Sequence, residues 1–137
     1  MVAQCSSRGR SLTSFRSRSV LVVDDDDDSL MVIAHVLEQL ACEACFVSDG
    51  YGALIAAQRY RPALILSDIN LPELDGFSLL QQLRADPATK HIPVVAVTAL
   101  ADNEHLRRII AAGFNDYVTK PFLLTTLEDV VTRFVAR

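Results

Sequence analysis

From Val20 onward, short runs of Val, Ile, Leu and Ala alternate with longer stretches whose apolar residues recur at helical spacing. That alternation leaves few folds open. The runs lie at 20–23, 44–48, 63–67 and 93–98, with a weaker one at 116–119. Their brevity and β-branched content predict buried strands. Between them, four apolar stripes predict helices: Leu30, Ile33, Ala34 and Leu37; Phe77, Leu80 and Leu83; Leu106, Ile109 and Ile110; Leu124, Leu127, Val131 and Phe134. A further helix is expected over 51–60, carried by Ala53, Leu54, Ala57 and Tyr60. Each stripe is most simply the core face of its helix. Pro62, the Asp86-Pro87 pair and Gly113 supply the stops. Five strand–helix units imply an α/β fold, a doubly wound five-stranded parallel sheet with five helices covering both faces. In such a sheet the site lies at the carboxyl ends of the strands, near the switch in strand order.

Composition narrows the class. The chain has 137 residues, about one domain, and half of them are hydrophobic. No apolar run approaches the ~18 residues of a membrane span. Residues 1–19 carry Arg8, Arg10, Arg16 and Arg18 and no acid, so the net charge of −4 comes from an acidic body. An acidic body repels a phosphate backbone, which argues against nucleic-acid binding by the fold itself. The expected division is a flexible Ser/Arg-rich tail over 1–19 and one domain over 20–137. A transit role for the tail stays open, and a secretory signal is not expected because no apolar core follows the arginines. Cys5, Cys42 and Cys45 are an odd, sparse set, which points to a reducing compartment and a cytoplasmic location. The Cys42-x-x-Cys45 spacing lacks a second ligand pair for zinc and follows a helix, where a thioredoxin-type pair would precede one. Two ordinary core cysteines are expected.

The strand ends are where the chemistry gathers. The first strand runs into five successive aspartates, Asp24 to Asp28, which repel one another unless a cation sits among them. Asp27 and Asp28 fall where the first helix begins, a place that favours acids. Asp24 and Asp25 instead stand at the end of the strand. A calcium loop over Asp24-x-Asp26-x-Asp28 fails, because Ser29 and His35 replace the required Gly and Glu. The third strand ends in Asp68, the fourth in Thr98, and the fifth in Lys120 followed by Pro121. Clustered carboxylates suit Mg²⁺, and together with a hydroxyl and an ammonium they form a set able to handle a phosphoryl group. His35, His91 and His105 show no metal spacing and are expected at or near the surface.

Four segments, in order, carry a resemblance: Val20-Leu21-Val22-Val23-Asp24-Asp25; Ser67-Asp68-Ile69-Asn70-Leu71-Pro72-Glu73-Leu74-Asp75-Gly76; Val95-Ala96-Val97-Thr98-Ala99; and Tyr117-Val118-Thr119-Lys120-Pro121-Phe122. Over residues 20–137 the chain resembles a response-regulator receiver domain of the two-component signalling family, of the stand-alone, chemotaxis-regulator-like kind. The resemblance implies a flavodoxin-like strand order 2-1-3-4-5. It implies that Asp68 is the phospho-acceptor and that Asp25, Asp68 and the Asn70 backbone carbonyl bind Mg²⁺ (or Mn²⁺) directly, with Asp24 reaching the metal through water. Lys120 would pair with the acceptor and then with the phosphoryl group, and Thr98 would move to hold one of its oxygens. Tyr117 would rotate inward with Thr98, and a cis peptide is expected before Pro121. Pro72 and Gly76 match the loop after the acceptor, while Asn70 and Leu100 occupy positions that tune dephosphorylation.

The implied function is a phosphorelay switch that catalyses its own phosphorylation and dephosphorylation and is not an enzyme toward a separate substrate. The donor would be a histidine kinase or a histidine phosphotransfer protein. Output would be binding to a downstream protein through the helix 4/strand 5/helix 5 face, with no output domain expected and no membrane or nucleic-acid partner. Two other classes compete. A haloacid-dehalogenase-type phosphohydrolase would use Asp24-x-Asp26, but it leaves Asp68 to Gly76 unexplained. A constitutive docking module would not need every acid and the lysine retained.

Overall fold

The computed structural model describes residues 18–135, together with the backbone of Gln4–Cys5. Five parallel strands, β1 (Ser19–Val23), β2 (Glu43–Val47), β3 (Leu64–Asp68), β4 (Val94–Thr98) and β5 (Asp116–Thr119), pair in the order β2-β1-β3-β4-β5. The helices are α1 (Asp27–Gln39), α2 (Gly50–Tyr60), α3 (Gly76–Ala85), α4 (Asn103–Ala112) and α5 (Leu124–Phe134). The flavodoxin-like doubly wound fold expected from the alternation is the fold observed. None of the described helices is long and apolar enough to cross a membrane.

Strand side chains alternate between two cores, as a sheet covered on both faces requires. Val20, Val22, Leu64, Leu66, Val95 and Val97 pack with Ile33, Val36 and Leu37 of α1 and Leu127, Val130 and Val131 of α5. Leu21, Val23, Ile65, Val94 and Ala96 pack on the other side with Ala53 and Ala57 of α2, Leu79, Leu80 and Leu83 of α3, and Ile109 of α4. Two stripe residues depart from expectation. Ile110 is 49% exposed and Leu124 is 49% exposed. The inward face of α4 is instead centred on His105 and Ile109, which places Leu106 and Ile110 beside an open cavity.

Aspartates start four of the helices. Asp26, Asp49, Asp75 and Asp102 each accept a hydrogen bond from the backbone N–H three residues on, which satisfies a donor that the first turn leaves orphaned. The α1 cap is therefore Asp26, one residue before the pair expected there, and Asp27 and Asp28 occupy the first turn. Gly113 ends α4 at φ +110°, a left-handed conformation that glycine adopts without strain.

Gly76 fixes where α3 begins relative to the site. A Cβ there would stand 2.7 Å from the Asp68 carbonyl oxygen and 2.8 Å from Ile69 Cα, both backbone atoms that cannot swing aside. Its N–H also donates to the Ile69 carbonyl at 2.9 Å. Gly76→Ala is therefore expected to cost about 1–3 kcal/mol, read as a lower urea midpoint at unchanged slope. An unchanged midpoint would show that the loop yields at no cost.

At the outer edge, Gln4–Cys5 pairs antiparallel with β2, in a register that sets Cys5 opposite Cys45. Cys45 is disulfide-bonded, a difference from the ordinary core cysteine expected, whereas Cys42 is a buried thiol. The rest of the expected flexible tail, residues 1–3 and 6–17, lies outside the described residues. Arg18 and Ser19 join the fold: Arg18 donates 2.6 Å to the Leu40 carbonyl at the end of α1, and Ser19 opens β1.

Candidate phosphoryl-handling site

The strand order reverses between β1 and β3, and their carboxyl ends carry the acids. β1 pairs with β3 through Val23↔Ser67, so Asp24 and Asp68 follow neighbouring positions in adjacent strands. One carboxylate oxygen from each of Asp24, Asp25 and Asp68 lies within 4.8 Å of the others. Asp24 is 1% and Asp68 7% exposed, whereas Asp25 faces solvent. Lys120, at the end of β5, completes the set from across the sheet edge. Its Nζ lies 3.1 Å from Asp24 Oδ2 and 3.3 Å from Asp68 Oδ2. The Asp24 contact is the shorter of the two, to an almost fully buried carboxylate.

Backbone donors hold the acids in place. The Asp26 N–H donates to Asp24 Oδ1 at 2.9 Å, and the Asn70 N–H donates to Asp68 Oδ1 at 3.1 Å. Burial pushes the Asp24 carboxyl above its ordinary pKa. The negative charge of Asp68 adds to that, and the Asp26 N–H and Lys120 offset only part of it. For Lys120, burial alone would lower the pKa, but Asp24 and Asp68 reverse it and hold the ammonium above the ordinary lysine value. The site thus confines three acids with one cation. It is short of positive charge and built from hard oxygen donors, the donor chemistry that suits Mg²⁺.

The remaining expected residues sit around this core. Asn70 is exposed, two residues past Asp68. The Lys120–Pro121 peptide is cis. Beside Lys120, a cavity of about 380 Å³ opens between Asp26, Ser29 and Val32 of the α1 end and Pro121 and Phe122. Thr98, the last residue of β4, follows Val97, the register partner of Asp68. Its hydroxyl faces α4: Oγ1 lies 3.0 Å from His105 Nε2 and accepts from the Leu100 N–H at 3.1 Å. Tyr117 of β5 is half-buried and lines a second cavity, of about 710 Å³, with Asn103, Leu106, Arg107, Ile110 and Ala111 of α4. His105 is the residue that sequence reasoning missed. Expected near the surface, it is 9% exposed and bonded to the Thr98 hydroxyl. The available signal was its place four residues before Ile109, on the inward face of α4.

A doubly wound sheet with an acid cluster and a lysine at its switch point has the parts of a phosphoryl-handling domain. The comparisons agree. Residues 20–132 match the family described as response regulator receiver domain. The polar-differentiation response regulator DivK of Brucella anthropi is 32% identical over 118 residues, 86% of this chain and 96% of that protein. The sensor protein GacS of Pseudomonas syringae is 34% identical over 124 residues, 88% of this chain but only 14% of that much longer protein. Among solved structures, the receiver domain of the sensor histidine kinase PA1611 from Pseudomonas aeruginosa, which holds a magnesium ion in its active-site cleft, superposes with a TM-score of 0.79 at 34% identity. That match covers 86% of this chain and 97% of the other. The chain belongs to the response regulator receiver domain family. Its function is that of a response regulator in phosphorelay signal transduction, for which Mg²⁺-dependent phosphorylation is the family mechanism.

Proposed function

We propose that Asp68 accepts the phosphoryl group, that Asp24, Asp25, Asp68 and the Asn70 carbonyl hold Mg²⁺, and that Lys120 and Thr98 receive the phosphoryl oxygens. The observation that carries this reading is the convergence of three carboxylates and Lys120 at the switch point of the sheet. In the transfer, a carboxylate oxygen of Asp68 forms a bond to phosphorus as the P–N bond of a phosphohistidine donor breaks. The leaving imidazole nitrogen keeps the electron pair and takes up a proton. An anionic nucleophile approaching an anionic phosphoryl group needs charge offset, and Lys120 supplies one positive charge within 3.3 Å of Asp68. Bound Mg²⁺ (or Mn²⁺) would add further charge neutralisation and orient the phosphoryl oxygens.

The donor is a histidine kinase or a histidine phosphotransfer protein, and the chemistry is performed on the chain itself, with no separate substrate turned over. The product carries more charge and more acceptors than the carboxylate it replaces. Thr98 can turn toward it, and Tyr117 can move into the space beside α4. The face formed by α4, β5 and α5 then changes for a downstream protein partner. The half-buried Tyr117 bordering an open cavity supports that choice of face.

The test is intact-mass analysis after incubation with phosphoramidate, a small P–N donor. With Mg²⁺ the protein is expected to gain one labile phosphoryl group, and with excess chelator none. Equal labelling in both conditions would overturn the metal-dependent reading.

A further inference from the structure

The Thr98 hydroxyl is already committed. A threonine hydroxyl offers one proton and two lone pairs. Oγ1 accepts from the Leu100 N–H at 3.1 Å, lies 3.4 Å from the Leu100 carbonyl, and lies 3.0 Å from His105 Nε2. If Nε2 carries the ring proton, it donates to Thr98, which donates in turn to Leu100. If Nδ1 carries it, Thr98 donates to Nε2. In either tautomer the single hydroxyl proton is already committed, to the Leu100 carbonyl or to His105 Nε2, and is not free for a phosphoryl oxygen. Both side chains are enclosed, Thr98 at 1% and His105 at 9% exposure, so water cannot readily replace a lost partner. The histidine is also anchored through its own backbone, since its N–H donates to Asp102 Oδ1 at 2.9 Å as part of the α4 cap.

We propose that His105 is a positioning residue that holds the Thr98 hydroxyl toward α4, and so opposes formation of the phosphorylated state. The inference rests on the assignment of Asp68 as acceptor and Thr98 as phosphoryl ligand. For Thr98 to reach a phosphoryl oxygen it must release His105, which leaves a buried ring nitrogen without its partner. That unpaired nitrogen disfavours the turned state, and it also gives α4 a reason to shift when Thr98 turns. The coupling between site and helix is therefore one hydrogen bond, from the last residue of β4 to the first turn of α4.

The test uses beryllium fluoride, a mimic of the phosphoryl group, with Mg²⁺ on the full chain, and reads bound fluoride by ¹⁹F NMR. His105→Leu and His105→Phe, which remove the ring nitrogen, are expected to bind beryllofluoride about tenfold more tightly, with Mg²⁺ affinity in the absence of fluoride unchanged. His105→Gln, whose amide can still pair with the hydroxyl, is expected to stay near the wild-type value. In a Thr98→Ala background, His105→Leu is expected to have no effect. A His105→Leu or His105→Phe affinity within twofold of wild type, or weaker, would overturn the proposal, as would an equal gain in the Thr98→Ala background. The phenylalanine variant keeps the ring volume, so it carries the test if the leucine variant does not fold. Beryllofluoride binding that persists in Asp68→Asn would instead remove the acceptor assignment, and this proposal with it.

Discussion

Asp24→Asn is expected to make the metal-free protein more stable and to take away most of its response to Mg²⁺. Asp24 is 1% exposed and shares Lys120 with Asp68, so two buried acids compete for one ammonium. The amide keeps an oxygen for the Asp26 N–H, and Lys120 keeps Asp68, so little is lost structurally. What is removed is a buried charge that burial and Asp68 both disfavour. The gain should be on the order of 1–2 kcal/mol, or about 3–8 °C in Tm. Its pH dependence has a definite sign. The fold holds the Asp24 pKa above the ordinary carboxylate value, so a stability cost sets in as pH rises past the ordinary value and is complete above the raised one. The advantage of the amide is therefore absent below the ordinary carboxylate value, grows as pH rises toward the raised value, and is full only above it. Saturating Mg²⁺ should reverse the ranking, since a ligand at a hundredfold its Kd stabilises wild type by about 2.7 kcal/mol. A metal-free variant less stable than wild type would show that Asp24 serves chiefly as counter-ion to Lys120.

The second large effect is on rate. Lys120→Ala is expected to slow phosphoryl transfer from phosphoramidate about a hundredfold, the order of loss seen when one preorganised donor to a developing charge is removed. Mg²⁺ affinity should not fall with it. Lys120 lies 3.1 and 3.3 Å from two of the three candidate metal ligands, so its removal takes away a competing positive charge. Slow transfer with intact or tighter metal binding is the signature of a residue that stabilises the transferring group. An unchanged rate would limit Lys120 to balancing charge in the resting state.

Much of this arrangement was readable from the sequence, for reasons that differ by residue. The strands announced themselves because a sheet buried on both faces demands continuous apolar runs, and β1, β3 and β4 supply them. Asp68, Thr98 and Lys120 were legible because each closes or follows such a run, and the fold brings those ends together. The run from Asp24 to Asp28 was divided correctly in outline, but five identical residues could not show which one caps α1. Asp26 does so through the hydrogen bonds it accepts from Ser29 N–H and Oγ–H. The face of α4 was legible in part: of the stripe Leu106, Ile109 and Ile110, Ile109 is buried and Leu106 packs on the core, but Ile110 is exposed. His105 takes an inward place through its bond to Thr98, and a stripe of apolar letters cannot register a buried hydrogen bond. The disulfide at Cys45 was likewise hidden, because no local sequence pattern foretells it.

The central claim is that Asp68, among the clustered acids, is the nucleophile. The most direct measurement is to label the protein with phosphoramidate and Mg²⁺, trap the acyl phosphate by borohydride reduction, and map the modified residue by peptide mass spectrometry, with Asp68→Asn in parallel. The account predicts one modified residue, Asp68, and no label in the variant. Modification of Asp24, or undiminished labelling of Asp68→Asn, would contradict it.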